Sequence, residues 1–138
     1  MHAPSLSSTT NGGTEDLDLL QHAYFNERTS PELLVYLQEP IENLLTVLRY
    51  QEEQTLPSIS EAKTSNPGIR GFMMNFYELE MDRIKYLLRC YIELRIEKIE
   101  CLAHYLINQG KSYWQQVLSD PEIDYLQRLI FLFFIVFT

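Results

Sequence analysis

Between Phe72 and Asn108 the chain contains neither proline nor glycine, the residues that most readily break a helix, and it closes on Asn108-Gln109-Gly110 with a glycine stop. No other feature restricts the fold as much. One helix over this stretch would be about 55 Å long at ~1.5 Å of rise per residue, so its neighbours must be arranged along it. At about 100° per residue, Met73, Tyr77, Met81, Ile84, Leu87, Leu88, Tyr91, Ile92, Ile99, Leu102, Tyr105 and Leu106 collect in one broad apolar sector. Glu78, Asp82, Lys85, Arg89, Glu93, Glu97, Glu100 and His104 collect opposite. The sector is wider than the ~100° stripe of an ordinary surface helix, which predicts cover by more than one neighbour. Arg95 and Lys98 interrupt it. The expected arrangement has their stems lying over core residues while the charged ends snorkel outward; the alternative is an ion pair with a carboxylate of another chain.

The remaining segments also read as helices. An acidic start near Thr14 or Asp16 precedes Leu17, Leu19, Leu20, Ala23 and Tyr24, and this first helix is interrupted before Pro31. Ser30-Pro31-Glu32 has the order cap, N1 proline, first-turn acid, and predicts a short helical turn through Leu37. From Pro40 to about Gln54, Ile41, Leu44, Leu45, Leu48 and Gln51 recur at helical spacing on one side. Residues 55–71 hold Pro57, Pro67, Gly68 and Gly71 and predict a mobile loop. After Gly110, Tyr113, Trp114, Val117 and Leu118 precede a second cap, Ser119-Asp120-Pro121-Glu122, which opens a last helix. No period-two alternation long enough for a sheet appears, so the expected class is all-α, a helical bundle built around one long central helix. The expected domains are a flexible N-terminal tail, 1–14, a helical domain, 15–128, and an apolar C-terminal tail, 129–138.

Composition narrows the function. Hydrophobic residues make up 46% of the 138 and aromatics 12%, too much apolar material for a disordered chain. A formal charge of -8, from 19 acidic against 11 basic residues, is the wrong sign for gripping a phosphate backbone. Autonomous nucleic-acid binding is not expected. Cys90 and Cys101 would lie about 16 Å apart along one helix, beyond the ~7 Å reach of a disulfide, and read as reduced cysteines of an intracellular protein. The opening MHAPSLSSTTNGGTED lacks the charged and apolar regions of a secretory signal. Leu129 to Phe137 is continuously apolar, yet as a helix it reaches only about 14 Å against the ~30 Å of a hydrocarbon core.

The sequence carries no nucleophile motif, Gly-rich phosphate loop or zinc-spaced Cys and His set, so neither catalysis nor a cofactor is expected. Glu97, Glu100 and His104 come nearest to a metal constellation. They occur once and on the polar face, whereas di-iron bundles repeat an inward-facing Glu-x-x-His pair, so a solvated face is the expected reading and no metal is assigned. His22 receives no role.

Three segments in order resemble the SLD-five-type subunit of the GINS complex: LDLLQHAYFNERTSPELLVYL, PIENLLTVLRYQEEQ and YELEMDRIKYLLRCYIELRIEKIE. The third is the most specific, with Glu80-Met81-Asp82, Arg83-Ile84-Lys85-Tyr86, Tyr91 with Arg95, and Lys98-Ile99-Glu100. The first adds Asn26-Glu27 and Pro31 to Leu34. The resemblance covers about residues 16–126. It implies a nuclear, non-catalytic scaffold whose helical domain packs on the three other GINS subunits and, through the assembled complex, meets the MCM helicase ring and a Cdc-family partner in DNA replication. It also implies a linker and a small β-rich domain, which the sequence is expected to lack. The tail LIFLFFIVFT departs from the polar continuation such a subunit has.

Tyr77, Ile84, Tyr91, Arg95 and Tyr105 are the candidate partner-interface residues, with intrachain core as the competing assignment for each. The alternative function is a cytosolic helical adaptor that associates with a membrane through the apolar tail, although no membrane contact is expected from its length.

Overall fold

The stretch free of proline and glycine becomes α4 (Pro67–Cys101), separated from α5 (Ala103–Gln109) by the single residue Leu102. Leu102 has φ -99° and ψ 11°. The hydrogen-bond ladder continues past it, from Leu102 N–H to Lys98 O at 2.8 Å and from Leu106 N–H to Leu102 O at 2.9 Å. The computed structural model describes residues 9–61 and 66–137. The other helices among the described residues are α1 (Thr9–Thr29), α2 (Gln38–Tyr50), α3 (Leu56–Glu61), α6 (Lys111–Val117) and α7 (Asp120–Val136), with a π-helical turn over Gln51–Thr55 joining α2 to α3. Among the described residues there is no strand. The fold is an all-α helical bundle with one long central helix.

Three local expectations differ from the structure. α1 begins at Thr9 rather than near Thr14, so part of the expected flexible tail is helical, and residues 1–8 lie outside the described residues. Once burial of Leu17 and Leu20 holds the helix, each residue added at its start costs little, because propagation gains a hydrogen bond per residue ordered. The expected loop 55–71 contains α3 and the first turn of α4, with Pro67 at a helix start, where its missing N–H has no intrahelical role. Residues 62–65 lie outside the described residues. No helical turn follows Pro31; residues 33–37 are irregular.

The chain divides into two units. One takes in the described residues of Met1–Gln21 and Glu39–Arg89, the other those of His22–Gln38 and Cys90–Thr138. In the first, Leu17, Leu20, Ile41, Leu44, Leu48, Met81, Ile84 and Leu88 are buried. Ile41, Leu44 and Leu48 keep the three- and four-residue steps of the sequence pattern, whereas Leu45 is exposed. In the second, Leu33, Ile99, Ala103, Leu106, Trp114, Val117, Leu118 and Leu126 form one cluster. Trp114 fills it without leaving its indole unsatisfied, since Nε1–H donates to Leu106 O at 2.6 Å. The polar side of α4 and α5 is open to solvent at Glu78, Asp82, Arg89, Glu93, Glu97, Glu100 and His104, as the helical phase predicts.

Gly110 turns the chain between α5 and α6 with φ 87° and ψ 172°, a region that a Cβ makes unfavourable. A Gly110→Ala variant meets no atom within 4 Å of the new Cβ, so its penalty is one of backbone strain alone. It is expected to lose about 1–3 kcal/mol of unfolding free energy, read by urea denaturation with an unchanged slope.

Candidate interaction site

Arg95 lies on the apolar side of α4 and is fully buried, with 0% exposure. Two carboxylates of its own chain surround it. Nε donates to Glu122 Oε2 at 2.7 Å and Nη2 to Glu122 Oε1 at 3.2 Å. Nη1 donates to Glu27 Oε2 at 3.3 Å and to the carbonyl of Leu34 at 2.6 Å. Nη2 also donates to the carbonyl of Val117 at 3.0 Å. All five N–H donors of the guanidinium are therefore satisfied. The Tyr36 and Tyr91 rings lie 5.3 and 5.8 Å from its carbon, within cation–π range.

Lys98, one turn further along α4, completes the charge balance. Its Nζ donates to Glu27 Oε1 at 2.8 Å and to the carbonyls of Glu27, Ser30 and Glu32 at 2.8, 3.0 and 2.6 Å. The same Glu27 Oε1 accepts from the Leu34 N–H at 3.2 Å. Two cations thus face two carboxylates, and the backbone of residues 30–37 is attached to them. This explains the missing helical turn. Ser30 does form its local bond with the Glu32 N–H, at 3.2 Å, but the carbonyls that would propagate a helix are taken by Lys98 and Arg95. Further along, Tyr36 N–H donates to Val117 O at 3.0 Å and Leu37 N–H to the Tyr91 hydroxyl at 3.1 Å.

Glu122 has a second task. Its Oε1 accepts from the Ser119 N–H and from the Ser119 hydroxyl, both at 3.0 Å, within the capping box that opens α7. Counted from the Ser119 cap, Pro121 falls at N2 rather than N1. Burial alone would weaken the hold of Arg95 on its proton; the hydrogen bond and charge of Glu122 outweigh that and raise its pKa above the ordinary value. Burial also pushes the Tyr91 phenol upward, against the lowering influence of Arg95 and of the bond from Leu37.

Neither arrangement expected for Arg95 and Lys98 holds. They do not snorkel, and the carboxylates that pair with them belong to this chain. Among the other candidate interface residues, Tyr91 joins the Arg95 cluster at 1% exposure and Ile84 lies in the core of the first unit at 7%. Tyr77 is half-buried, and Tyr105 is exposed, edge to face with Tyr113 at 6.3 Å between ring centres. Glu27 and Glu122 are the functional residues that inspection of the α4 sector misses. The order Ser119-Asp120-Pro121-Glu122 marked Glu122 as a first-turn acid but gave no sign of its burial.

Large apolar side chains remain uncovered outside these cores. Ile69, Phe72, Met73, Phe76 and Leu79 are exposed at steps of three and four on the first half of α4, and Phe131 to Phe137 are exposed along the end of α7. Glu97, Glu100 and His104 are exposed, and no group of three His, Cys, Asp or Glu among the described residues could hold a metal ion. No helix among them is long and apolar enough to cross a membrane.

An all-α bundle whose buried charges answer one another, and which leaves large apolar helix surfaces uncovered beside its polar ones, has the character of a protein-interaction domain. The family described as the Sld5 GINS complex protein helical bundle domain matches residues 49–130, and the chain belongs to that family. It is 31% identical over 127 residues to the DNA replication complex GINS protein SLD5 of Dictyostelium discoideum, covering 88% of this chain and 56% of that protein. The like-named protein of Schizosaccharomyces pombe is 31% identical over 113 residues, covering 82% and 50% respectively. That of Homo sapiens is 28% identical over 115 residues, covering 78% and 48%. The chain spans about half the length of these relatives.

Replacing Arg95 by Met is expected to destabilise the chain by about 3–5 kcal/mol, because Glu122 is left buried without a cation and Glu27 keeps only Lys98. Adding Glu122→Gln should recover much of that loss, because Glu27 still has Lys98, and a denaturant series on the single and double variants checks the coupling. Tyr91 titrates in the alkaline range. Because its folded pKa lies above its unfolded one, its contribution is fully present below pH 10 and is lost as pH rises through the folded value. Stability measured from pH 9 to 12 should fall less steeply for Tyr91→Phe than for the wild type.

Proposed function

We propose that this chain is a non-catalytic scaffold subunit of the GINS complex, supporting the eukaryotic replicative helicase in the initiation and elongation of DNA replication. The observation that carries this reading is the exposed stripe of Ile69, Phe72, Met73, Phe76 and Leu79 on a helix whose other faces are already packed or charged. Such a stripe is suited to helix-on-helix association, and family membership supports the other three GINS subunits as the source of the facing helices. Contacts with the MCM ring and the Cdc-family partner follow through the assembled complex, in the nucleus. Tyr77 and Tyr105 supply contact surface, whereas Ile84, Tyr91 and Arg95 act indirectly by holding the helices that present it. The assembling unit is residues 15–128.

Co-expression of the full chain with the three sister subunits, followed by size-exclusion chromatography with light scattering, tests this reading. A single stoichiometric complex is expected. Exchanging Phe72 and Leu79 for Glu, both solvent-exposed in the chain alone, should reduce recovery of the complex by about ten-fold or more with little change in thermal midpoint. A folded wild-type chain that elutes alone in the presence of all three subunits would sink the proposal.

A further inference from the structure

Arg49, in the last turn of α2, and Arg89, on the second half of α4, are exposed, and among the described residues neither makes a hydrogen bond or an ion pair. Arg83, Lys85 and Arg128, by contrast, are paired with Glu80, Glu52 and Asp124. Both unpaired guanidiniums line one groove of about 550 Å³ in the first unit, whose apolar floor is Leu45, Leu48 and Leu88. Leu48 and Leu88 belong to the core, whereas Leu45 is 48% exposed and open to an incoming group. The rest of the lining is Lys85 with Glu52, which neutralise each other, and Glu53. Among the lining residues the unpaired charges are therefore two guanidiniums against one carboxylate, a local positive excess on a chain of net charge -8.

Charge and apolarity together select what such a groove can hold. A phosphate backbone would answer the guanidiniums but leave the leucines in water, and a purely apolar segment would do the reverse. A segment with a leucine between carboxylates answers both. Each carboxylate can take two parallel N–H bonds from a guanidinium fork, and the leucine removes Leu45 from water. The volume of the groove suits several side chains rather than a lone ion. We propose that the groove between the end of α2 and the second half of α4 docks an acidic, leucine-bearing segment of a partner protein, with Arg49 and Arg89 pairing with its carboxylates. The inference goes beyond the assembly reading and does not depend on it, because the apolar stripe of Ile69, Phe72, Met73, Phe76 and Leu79 takes no part in the groove.

The test is an NMR titration of the ¹⁵N-labelled full chain with the peptide acetyl-Glu-Glu-Leu-Leu-Glu-Glu-amide. The same peptide with serines for its leucines and a single-stranded thymidine oligonucleotide serve as counterparts. Saturable shifts confined to residues around Leu45, Arg49, Leu88 and Arg89 are expected, with binding about five-fold or more weaker for the serine peptide and for the oligonucleotide. Arg49→Gln and Arg89→Gln together should weaken binding of the leucine peptide by about ten-fold or more at an unchanged thermal midpoint, since neither guanidinium holds anything within the chain. Glu53→Gln should tighten it by about two-fold, because the one unpaired carboxylate of the lining repels the peptide. Absence of saturable binding, equal or tighter binding of the oligonucleotide, undiminished affinity in the double arginine variant, or weaker binding by Glu53→Gln would each overturn the proposal. The titration uses the chain by itself, so failure of the four-subunit assembly would defeat the scaffold reading and leave this result standing.

Discussion

A fully buried arginine is tolerable only if every donor is answered and its charge is balanced, and the second unit is organised around meeting that condition for Arg95. Glu27 from α1, Glu122 from α7, the carbonyls of Leu34 and Val117 and the rings of Tyr36 and Tyr91 all converge on one side chain of α4. An apolar residue there could fill the volume as well. It would not select which carboxylate, which carbonyl and which turn must be adjacent, so the ion cluster specifies an arrangement more than it adds net stability. Lys98 extends the selection to the irregular segment after α1, whose path is determined by ammonium contacts to three carbonyls rather than by its own propensity.

The long helices were legible because their signals are periodic and redundant. α2 and α4 each present several buried apolar residues in the right phase, and α7 begins at a Ser-x-x-Glu cap whose geometry is local. The segment after Pro31 was misread for an equally physical reason. Its local cap does form, yet distant cations claim the carbonyls a helix would need, and no window of neighbouring residues contains that information. α3 was hidden by Pro57 and by the polar composition around it, in a stretch where the backbone passes from α2 through a π-helical turn without leaving the helical region.

The interface candidates show the same division. Arg95 and Lys98 were conspicuous as interruptions of an apolar sector, but a helical wheel places residues only about their own axis. It cannot reveal that Glu27 and Glu122, from helices at either end of the sequence, meet there. Tyr105 and Ile84 occupy the same sector of the sequence pattern, yet Tyr105 is half exposed on α5 in the second unit and Ile84 is buried in the core of the first. Two kinds of polar burial therefore coexist among the described residues: Arg95, with every donor answered from within the chain, and Gln51, whose side-chain oxygen is buried without a hydrogen-bond partner.

The double use of Glu122 has a consequence during synthesis. Glu27 leaves the ribosome long before Arg95, and Arg95 before Glu122, since the bonds joining them span 68 and 27 positions of sequence. For on the order of several seconds at ordinary elongation rates, the nascent chain holds part of the cluster without the carboxylate that also starts α7. Arg95 and Lys98 can meet Glu27 and the connector after α1 in that interval, but the edge of the guanidinium that pairs with Glu122 stays solvated until α7 emerges. Completion of the cluster thereby waits for α7, where a single glutamate both caps the helix and pairs with the arginine.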